Sequence, residues 1–301
     1  FFCMGIYCNQ GKQDSAKVIV KRKIAVVIAA YNSLRSIKGC LDSVYDQKSP
    51  VDEVIVIDDG SGDGLFDFIR VNYPDVRIIR NDITQGPAAA RNLGIRSAAS
   101  DWILTLDSDC CIGPDFVLNF RKFSLSPDTG MVAPKICMAS DPLKIFSNGH
   151  RLTFLRRFFE SRSSKNIFGA CSAAAFYNMR MLNEISPEGD YFDPVFFIMA
   201  EDVDLAWRAR KSGWKIRHCG GCVAFHEGNR SGEQGSKKMF YSIRNRFIMM
   251  AKNEKKAYFV LFLMPLLFYE VLRIFFLIIK RYPGIYFRAL GSACKAIRGM
   301  V

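Results

Sequence analysis

The 301 residues lack both glycine-rich phosphate-binding fingerprints. No G-x-G-x-x-G follows the first apolar run and no G-x-x-x-x-G-K-[ST] occurs, so dinucleotide-binding and P-loop readings lose their main support. The ten cysteines lack regular spacing and include the adjacent pair Cys110 and Cys111. That pattern reads as buried or idle thiols in a reducing compartment rather than a disulfide framework. Cys219-Gly-Gly-Cys222 lies between His218 and His226, but no second cysteine pair follows to complete a structural zinc site. No convincing Ser/His/Asp or Cys/His arrangement, internal repeat or low-complexity stretch is present. Acidic residues are scarce late in the chain: from Ser236 onward 13 Lys and Arg face only Glu254 and Glu270. The net charge of +13 is therefore largely a C-terminal property. Residues 1–21 show no clear h-region and cleavage site, and are expected to be a truncated or poorly packed leader.

What is present is an alternation of strands and helices. "KIAVVIAAYNS" (Lys23 to Ser33) and "DEVIVIDDGSGDG" (Asp52 to Gly64) carry short, β-branched apolar runs that end in polar turns. Strands buried on both faces of a parallel sheet read this way. Between them Ile37, Leu41 and Val44 fall at helical spacing and complete a βαβ unit. "DVRIIRND" predicts a third strand, "GPAAARNLGIRSA" a helix with Pro87 in its first turn, and "DWILTLDSD" a fourth strand. Polar residues thus recur at C-terminal strand ends, where open α/β sheets place their ligands. After Pro127 the alternation weakens. "FGACSAAAF" (Phe168 to Phe176) suits close approach of backbone and ligand, or tight helix packing. "AEDVDLAWRARKSGW" (Ala200 to Trp214) predicts a helix with acidic residues at its start, a structural Asp204/Arg208 pair at i,i+4 and a closing Gly213. Trp207 and Trp214 are expected to pack that helix against the sheet.

The stretch from Ala257 to Ile279 is apolar but interrupted by Pro265, Glu270 and Arg273, and lies between Lys255-Lys256 and Lys280-Arg281. The two charged residues would cost roughly 5 to 7 kcal/mol at mid-bilayer, comparable to what the apolar residues return. Helices lying in the membrane interface are the expected arrangement. A true span with Glu270 and Arg273 paired at i,i+3, and a soluble or oligomerising helix pair, are the alternatives. "YSIRNRF" (Tyr241 to Phe247) reads as a basic lip for an acceptor pyrophosphate or membrane headgroups. Nucleic acid accounts less well for the charge, because the basic segment leads straight into the apolar one.

Two chemistry-bearing sets stand out. In an extended segment residues two apart project the same way, so Asp107-Ser108-Asp109 would bring two carboxylates into one space. Such like charges repel unless a cation or a donor network sits beside them; a turn capped by Asp and Ser is the plainer reading. Tyr31 and Asn32 end the first strand, and Asp58 and Asp59 the second. An aromatic face beside a carboxylate suits a nucleobase. "DGSGDG" imitates a calcium loop, but its twelfth position is Arg70 rather than Glu, which excludes calcium.

The ordered set "VVIAAYNS", "VIVIDDGSGDG", "GPAAARNLGI", "LTLDSD", "FGACSAAAF", "AEDVDLAWRARKSGW" and "VAFHEGNRSG" resembles the family 2 glycosyltransferases from about Ile24 to Gly232. It looks closest to the bacterial branch that includes rhamnosyltransferases. Ala29-Ala30 stands where many members have Thr, Ser or Pro. The resemblance implies an α/β GT-A fold: a Rossmann-like, mostly parallel central sheet flanked by helices, with the hydrophobic, amphipathic C-terminal helices as an extension. It implies a catalytic domain over 22–235; the charge and apolar pattern beyond it mark 236–301 as a basic membrane-associating region. By the same resemblance Ala29, Tyr31, Asp58 and Asp59 hold the nucleobase, and Arg91 lies near the nucleotide. Asp107, with Ser108 beside it, contacts the ribose and metal region. Asp109, Asp107 and His226 hold Mn²⁺ or Mg²⁺, and Asp202, preceded by Glu201, is the catalytic base.

The activity so implied is inverting transfer of a sugar from a UDP- or dTDP-linked donor, dTDP-rhamnose among them, to a glycan acceptor; the apolar, basic tail adds the expectation that this acceptor is carried on a membrane lipid. A bacterial protein at the cytoplasmic face of the membrane is expected, with homo-oligomerisation left open. A sugar nucleotidyltransferase is a rival, but it needs a glycine-rich basic loop where "AAYNSLRS" stands. A non-catalytic membrane-associated nucleotide-sugar binding protein is the rival from another class.

Overall fold

The computed structural model describes residues 22–228 and 234–300. The expected leader, and the end of "VAFHEGNRSG", lie outside the described residues. The chain opens with β1 (Ile24–Ala30), α1 (Leu34–Tyr45), β2 (Glu53–Asp58), α2 (Leu65–Asn72), β3 (Arg77–Arg80), α3 (Pro87–Arg96) and β4 (Trp102–Asp107). β1 pairs in parallel with both β2 and β4, and β2 with β3. In β1, Ile24, Val26 and Ile28 point into a core shared with Ile37, Leu41 and Val44 of α1. Ala25 and Val27 point into the opposite core with Ala88 and Ile95 of α3. Alternate residues thus serve two apolar layers, which explains an apolar run without polar alternation. Gly94 is required at the α3 contact, because a Cβ there would come within 2.4 Å of Val27 Cγ1.

Past β4 the sheet becomes mixed. The later elements are β5 (Cys110–Ile112), α4 (Phe116–Lys122), β6 (Thr129–Met138), β7 (Asp141–Ser147), β8 (His150–Leu152), β9 (Phe158–Glu160), β10 (Ala174–Asn178), α5 (Met179–Ile185), α6 (Glu201–Lys211) and β11 (Lys215–His226). The main sheet runs β3-β2-β1-β4-β10-β6-β11-β5, with β7 on β6; β8 and β9 form a separate hairpin. β10 is antiparallel to β4 and β6, so the parallel arrangement is complete only on the β3-to-β4 side. Only the last three residues of "FGACSAAAF" belong to this strand. Gly169 packs on α6, where a Cβ on it would lie 2.6 Å from Ala206 Cβ.

The C-terminal helices are α7 (Gln234–Asn253), α8 (Lys256–Leu261), α9 (Leu263–Ile279) and α10 (Pro283–Arg298). α7 buries Ile248 and Met249 against Val203 and Trp207 of α6, and Ile243 against Ile285, Tyr286 and Ala289 of α10. Trp207 therefore packs on α7 rather than against the sheet, whereas Trp214 packs with Met131 and Tyr177 of the sheet as expected. The apolar stretch is interrupted as expected: α8 ends at Leu261, four residues before Pro265, and Pro265 sits in the first turn of α9, where its missing N–H has no intrahelical partner to lose. Among the described residues no helix is long and apolar enough to cross a membrane. α9, with 17 residues, is about 26 Å long against a hydrocarbon core of about 30 Å.

Candidate active site

The C-terminal end of β4 and the start of α6 meet at Arg91 of α3. Its Nη2 donates to Asp107 Oδ1 at 2.8 Å and its Nη1 to Glu201 Oε1 at 2.9 Å. Arg91 is almost fully buried. Burial alone would weaken its hold on its proton, but the Asp107 and Glu201 charges outweigh that and raise it. Burial, then the neighbouring Asp202 charge, pushes the Glu201 carboxyl up, against the pull of Arg91. Arg91 thus ties α3, β4 and α6 together at one point.

Asp107 and Asp109 do not project side by side from one strand. β4 ends at Asp107, and Ser108 and Asp109 form a turn into β5. The turn gives the two carboxylates different partners: Asp107 faces Arg91, while Asp109 Oδ1 lies 3.2 Å from His226 Nε2 at the end of β11. β11 and β5 pair His226 with Cys110, which fixes that approach. Ligand atoms of Asp109, Cys110 and His226 lie within 4.8 Å of one another. His226 Nδ1 is buried without a hydrogen-bond partner. Burial pulls the His226 pKa down, but the Asp109 contact outweighs it, for a net rise. Burial pushes the Cys110 thiol well up. The imidazole and carboxylate suit a divalent ion such as Mn²⁺.

Asp202 has the most completely defined surroundings. Its Oδ2 accepts from Ser172 N at 3.0 Å and lies 2.8 Å from His150 Nε2, while Oδ1 accepts from Val203 N at 2.8 Å. A carboxylate has about four lone-pair positions, so the one left on Oδ1 is free to meet a substrate hydroxyl. Burial raises the Asp202 pKa, but the His150 charge and hydrogen bond reverse this, leaving the carboxyl well below its ordinary range. His150 in turn rises to about 10: burial opposes its charge, and Asp202, then Glu160 at 3.5 Å from Nδ1, more than restore it. His150, on β8, carries no sequence signal, because 52 residues separate it from Asp202.

The backbone before α6 is strained: Phe197, Met199 and Ala200 all have positive φ, at 60°, 69° and 71°. Left-handed backbone at such residues is costly and survives only where the surroundings impose it. Here buried Asn245 of α7 does so: its Nδ2 lies 2.7–2.9 Å from the carbonyls of Phe196, Ile198 and Met199. Asp204, also buried, holds Arg208 at 2.9 Å, as expected from the i,i+4 spacing, and also Asn253 and Lys252 of α7. Sequence reading missed His150, Ser172 and Asn245 as positioning residues.

On the nucleotide side, Tyr31 is 53% exposed at the end of β1 and offers a free ring face. Ala29 is partly buried between Ile57 and Asp107 in register. Asp59 is buried and engaged: its carboxylate accepts from Asn81 Nδ2, Thr84 Oγ1, Gln85 N and Gly86 N at 2.7–3.1 Å. It shapes the 81–86 loop above the strand ends. Asp58 Oδ1 accepts from Ser61 N, and its Oδ2 lies 3.6 Å from Arg80. Ser108 lies partly buried in the turn between the two aspartates. Cys219 and Cys222 are free thiols with their sulfurs 3.1 Å apart on β11.

The description glycosyl transferase family 2 matches residues 25–186, more than half of the chain, and the chain belongs to that family. The succinoglycan biosynthesis protein ExoO of Rhizobium meliloti is 40% identical over 174 residues, which cover 58% of this chain and 47% of that protein. The poly(ribitol-phosphate) beta-glucosyltransferase of Bacillus spizizenii is 35% identical over 120 residues, 38% of this chain and 19% of that one. The chain thus spans less than half the length of these relatives. The solved structure of mannosyltransferase PcManGT from Pyrobaculum calidifontis, in complex with GDP-Man and Mn²⁺, superposes with a TM-score of 0.58 at 19% identity, covering 92% of this chain and 74% of that one. The likeness shows the fold, the GT-A architecture expected from the sequence.

Proposed function

We propose that this family 2 chain transfers a sugar from a nucleotide-diphosphate donor to a glycan hydroxyl in a single, inverting displacement. The observation that carries the reading is Arg91, which bridges Asp107, two residues from the open Asp109–His226 pair, and Glu201, next to the buried, anionic Asp202. Tyr31 would stack on the base, and the loop held by Asp59 would border it. Asp109 and His226, with Asp107 beside them, would hold Mn²⁺ or Mg²⁺, which stabilises the charge developing on a departing diphosphate. Asp202 Oδ1 accepts the acceptor hydroxyl's proton as that oxygen attacks the anomeric carbon. With no covalent nucleophile, one displacement inverts the carbon. His150 and Ser172 keep the carboxylate ionised and aimed.

Supporting a lipid-linked acceptor, α8 and α9 expose Val260, Met264, Phe268, Val271 and Phe275, flanked by Lys255, Lys256, Lys280 and Arg281. Such a face lies along a membrane interface, with cations near anionic headgroups. A panel of UDP-, dTDP- and GDP-sugars incubated with protein and Mn²⁺ tests the activity. Slow hydrolysis of one donor, stopped by EDTA and absent in Asp109→Ala, is expected. No hydrolysis or transfer from any donor would remove the reading.

A further inference from the structure

α7 and α9 line a cavity of about 510 Å³ beside the β8–β9 hairpin. Three of its lining residues are arginines, Arg157, Arg246 and Arg273, and the rest of the wall includes Phe158, Leu272 and Phe276. The arginines are not equivalent. Arg246 is held by Glu270 and by the Leu155 carbonyl, and Glu270 also accepts from Tyr286 Oη at 2.8 Å. The i,i+3 partner expected for Arg273 is therefore occupied elsewhere. Among the described residues neither Arg157 nor Arg273 forms a salt bridge, and Arg273 Nη1 is buried without a hydrogen-bond partner. A guanidinium nitrogen removed from water with nothing to donate to is costly. Balanced against Glu270, the three arginines leave two positive charges around a partly apolar space.

We propose that this cavity binds the phosphate or diphosphate headgroup of a lipid-linked acceptor, with its apolar chain lying along α9. This rests on the glycosyl-transfer reading given above. Two uncompensated guanidinium groups match a phosphate-type anion, which they recognise by forked, charge-assisted hydrogen bonds. Leu272 and Phe276 line the cavity and also lie half exposed on the apolar face of α9, so a headgroup held there has its chain at the proposed membrane surface. The hairpin links the cavity to the base. Phe158 lines the cavity, Glu160 is two residues along the same strand, roughly 7 Å away, and Glu160 faces His150, which touches Asp202. A sugar carried on that headgroup starts close to the catalytic carboxylate.

The test is vesicle cosedimentation of the full chain, which reads binding whether or not transfer occurs. Three vesicle types serve: phosphatidylcholine alone, phosphatidylcholine with phosphatidylglycerol, and phosphatidylcholine with a long-chain polyprenyl diphosphate at matched surface charge. Wild type is expected to bind the polyprenyl diphosphate vesicles about tenfold better than the phosphatidylglycerol ones. Arg157→Gln/Arg273→Gln should lose that preference, whereas Lys280→Gln/Arg281→Gln should weaken binding to both anionic vesicles alike. Millimolar inorganic pyrophosphate should compete away the preference. Equal binding at matched charge, a preference that survives the double variant, or failure of pyrophosphate to compete would each overturn the proposal. Arg157→Glu, at the exposed rim, repeats the test if the double variant folds poorly. Donor hydrolysis unchanged in these variants would leave the activity standing if the cavity fails.

Discussion

Two histidine–carboxylate contacts flank Arg91 and its partners, one on the main sheet and one between the β8–β9 hairpin and α6, and they differ in what surrounds them. His150 and Asp202 are 2.8 Å apart with side chains 5% and 9% exposed, and Asp202 also accepts from Ser172 and Val203. His226 and Asp109 are 3.2 Å apart, 14% and 35% exposed, with the far nitrogen of His226 unpartnered. Each pair has a buried cysteine close by, Cys171 in one and Cys110 in the other. Residue type alone would make both candidate metal centres. Solvation and the remaining lone pairs separate them: the sealed pair fixes a charge and a direction, and the open pair leaves donor atoms for a ligand.

The largest effects should come from cutting each pair at its carboxylate. Asp109→Ala should abolish transfer and weaken Mn²⁺-dependent nucleotide binding, read by calorimetry with and without metal. Asp202→Asn should lower kcat by about 10³-fold while leaving donor affinity unchanged, since a base contributes about 10²–10⁴-fold. Equal loss of nucleotide binding in both variants would erase the distinction between the pairs. His150→Gln comes next, expected to reduce kcat about a hundredfold with little change in donor KM, because Asp202 loses its fixed direction.

Smaller effects sharpen the contrast through stability. Removing His150 leaves a buried carboxylate without its cation, costing about 3 kcal/mol near pH 6. The sign follows from the shift. His150 titrates near 10 in the fold against 6.5 ordinarily, so its contribution is fully present below pH 6.5 and disappears as pH rises through 10. The groups facing it are Asp202, Glu160, Glu201 and Cys171, with Arg91 and Tyr177 beyond them around Asp202. The Tm difference between wild type and His150→Gln should therefore narrow from pH 6 to pH 10; a constant difference would mean the pair is not ionic. Asn245→Ala, which frees the left-handed turn before Glu201, should cost about 2 kcal/mol and lower kcat several-fold.

Much of this was legible from local pattern. Period and turn residues predicted β1 through β4, α1, α3 and α6, since an apolar strand packed on both faces and a helix with one buried stripe each leave a short-range signature. The acidic strand ends could be named for the same reason, whereas Glu201-Asp202 read locally only as a helix start and became site candidates through the family resemblance. The later antiparallel strands left weaker traces: β10 begins within a small-residue run whose packing duty reads like a ligand contact.

The sequence by itself determined which residue types stand at the strand ends and at the start of α6, because those depend on neighbours a few positions away. Only the tertiary structure decided their partners. A turn at Ser108 sends Asp109 to His226 while Asp107 meets Arg91, and a hairpin 52 residues from Asp202 supplies its histidine. The physical reason is that burial and pairing are set by whatever the fold brings within about 4 Å. Those contacts determine which carboxylate stays free for a ligand and which is already held.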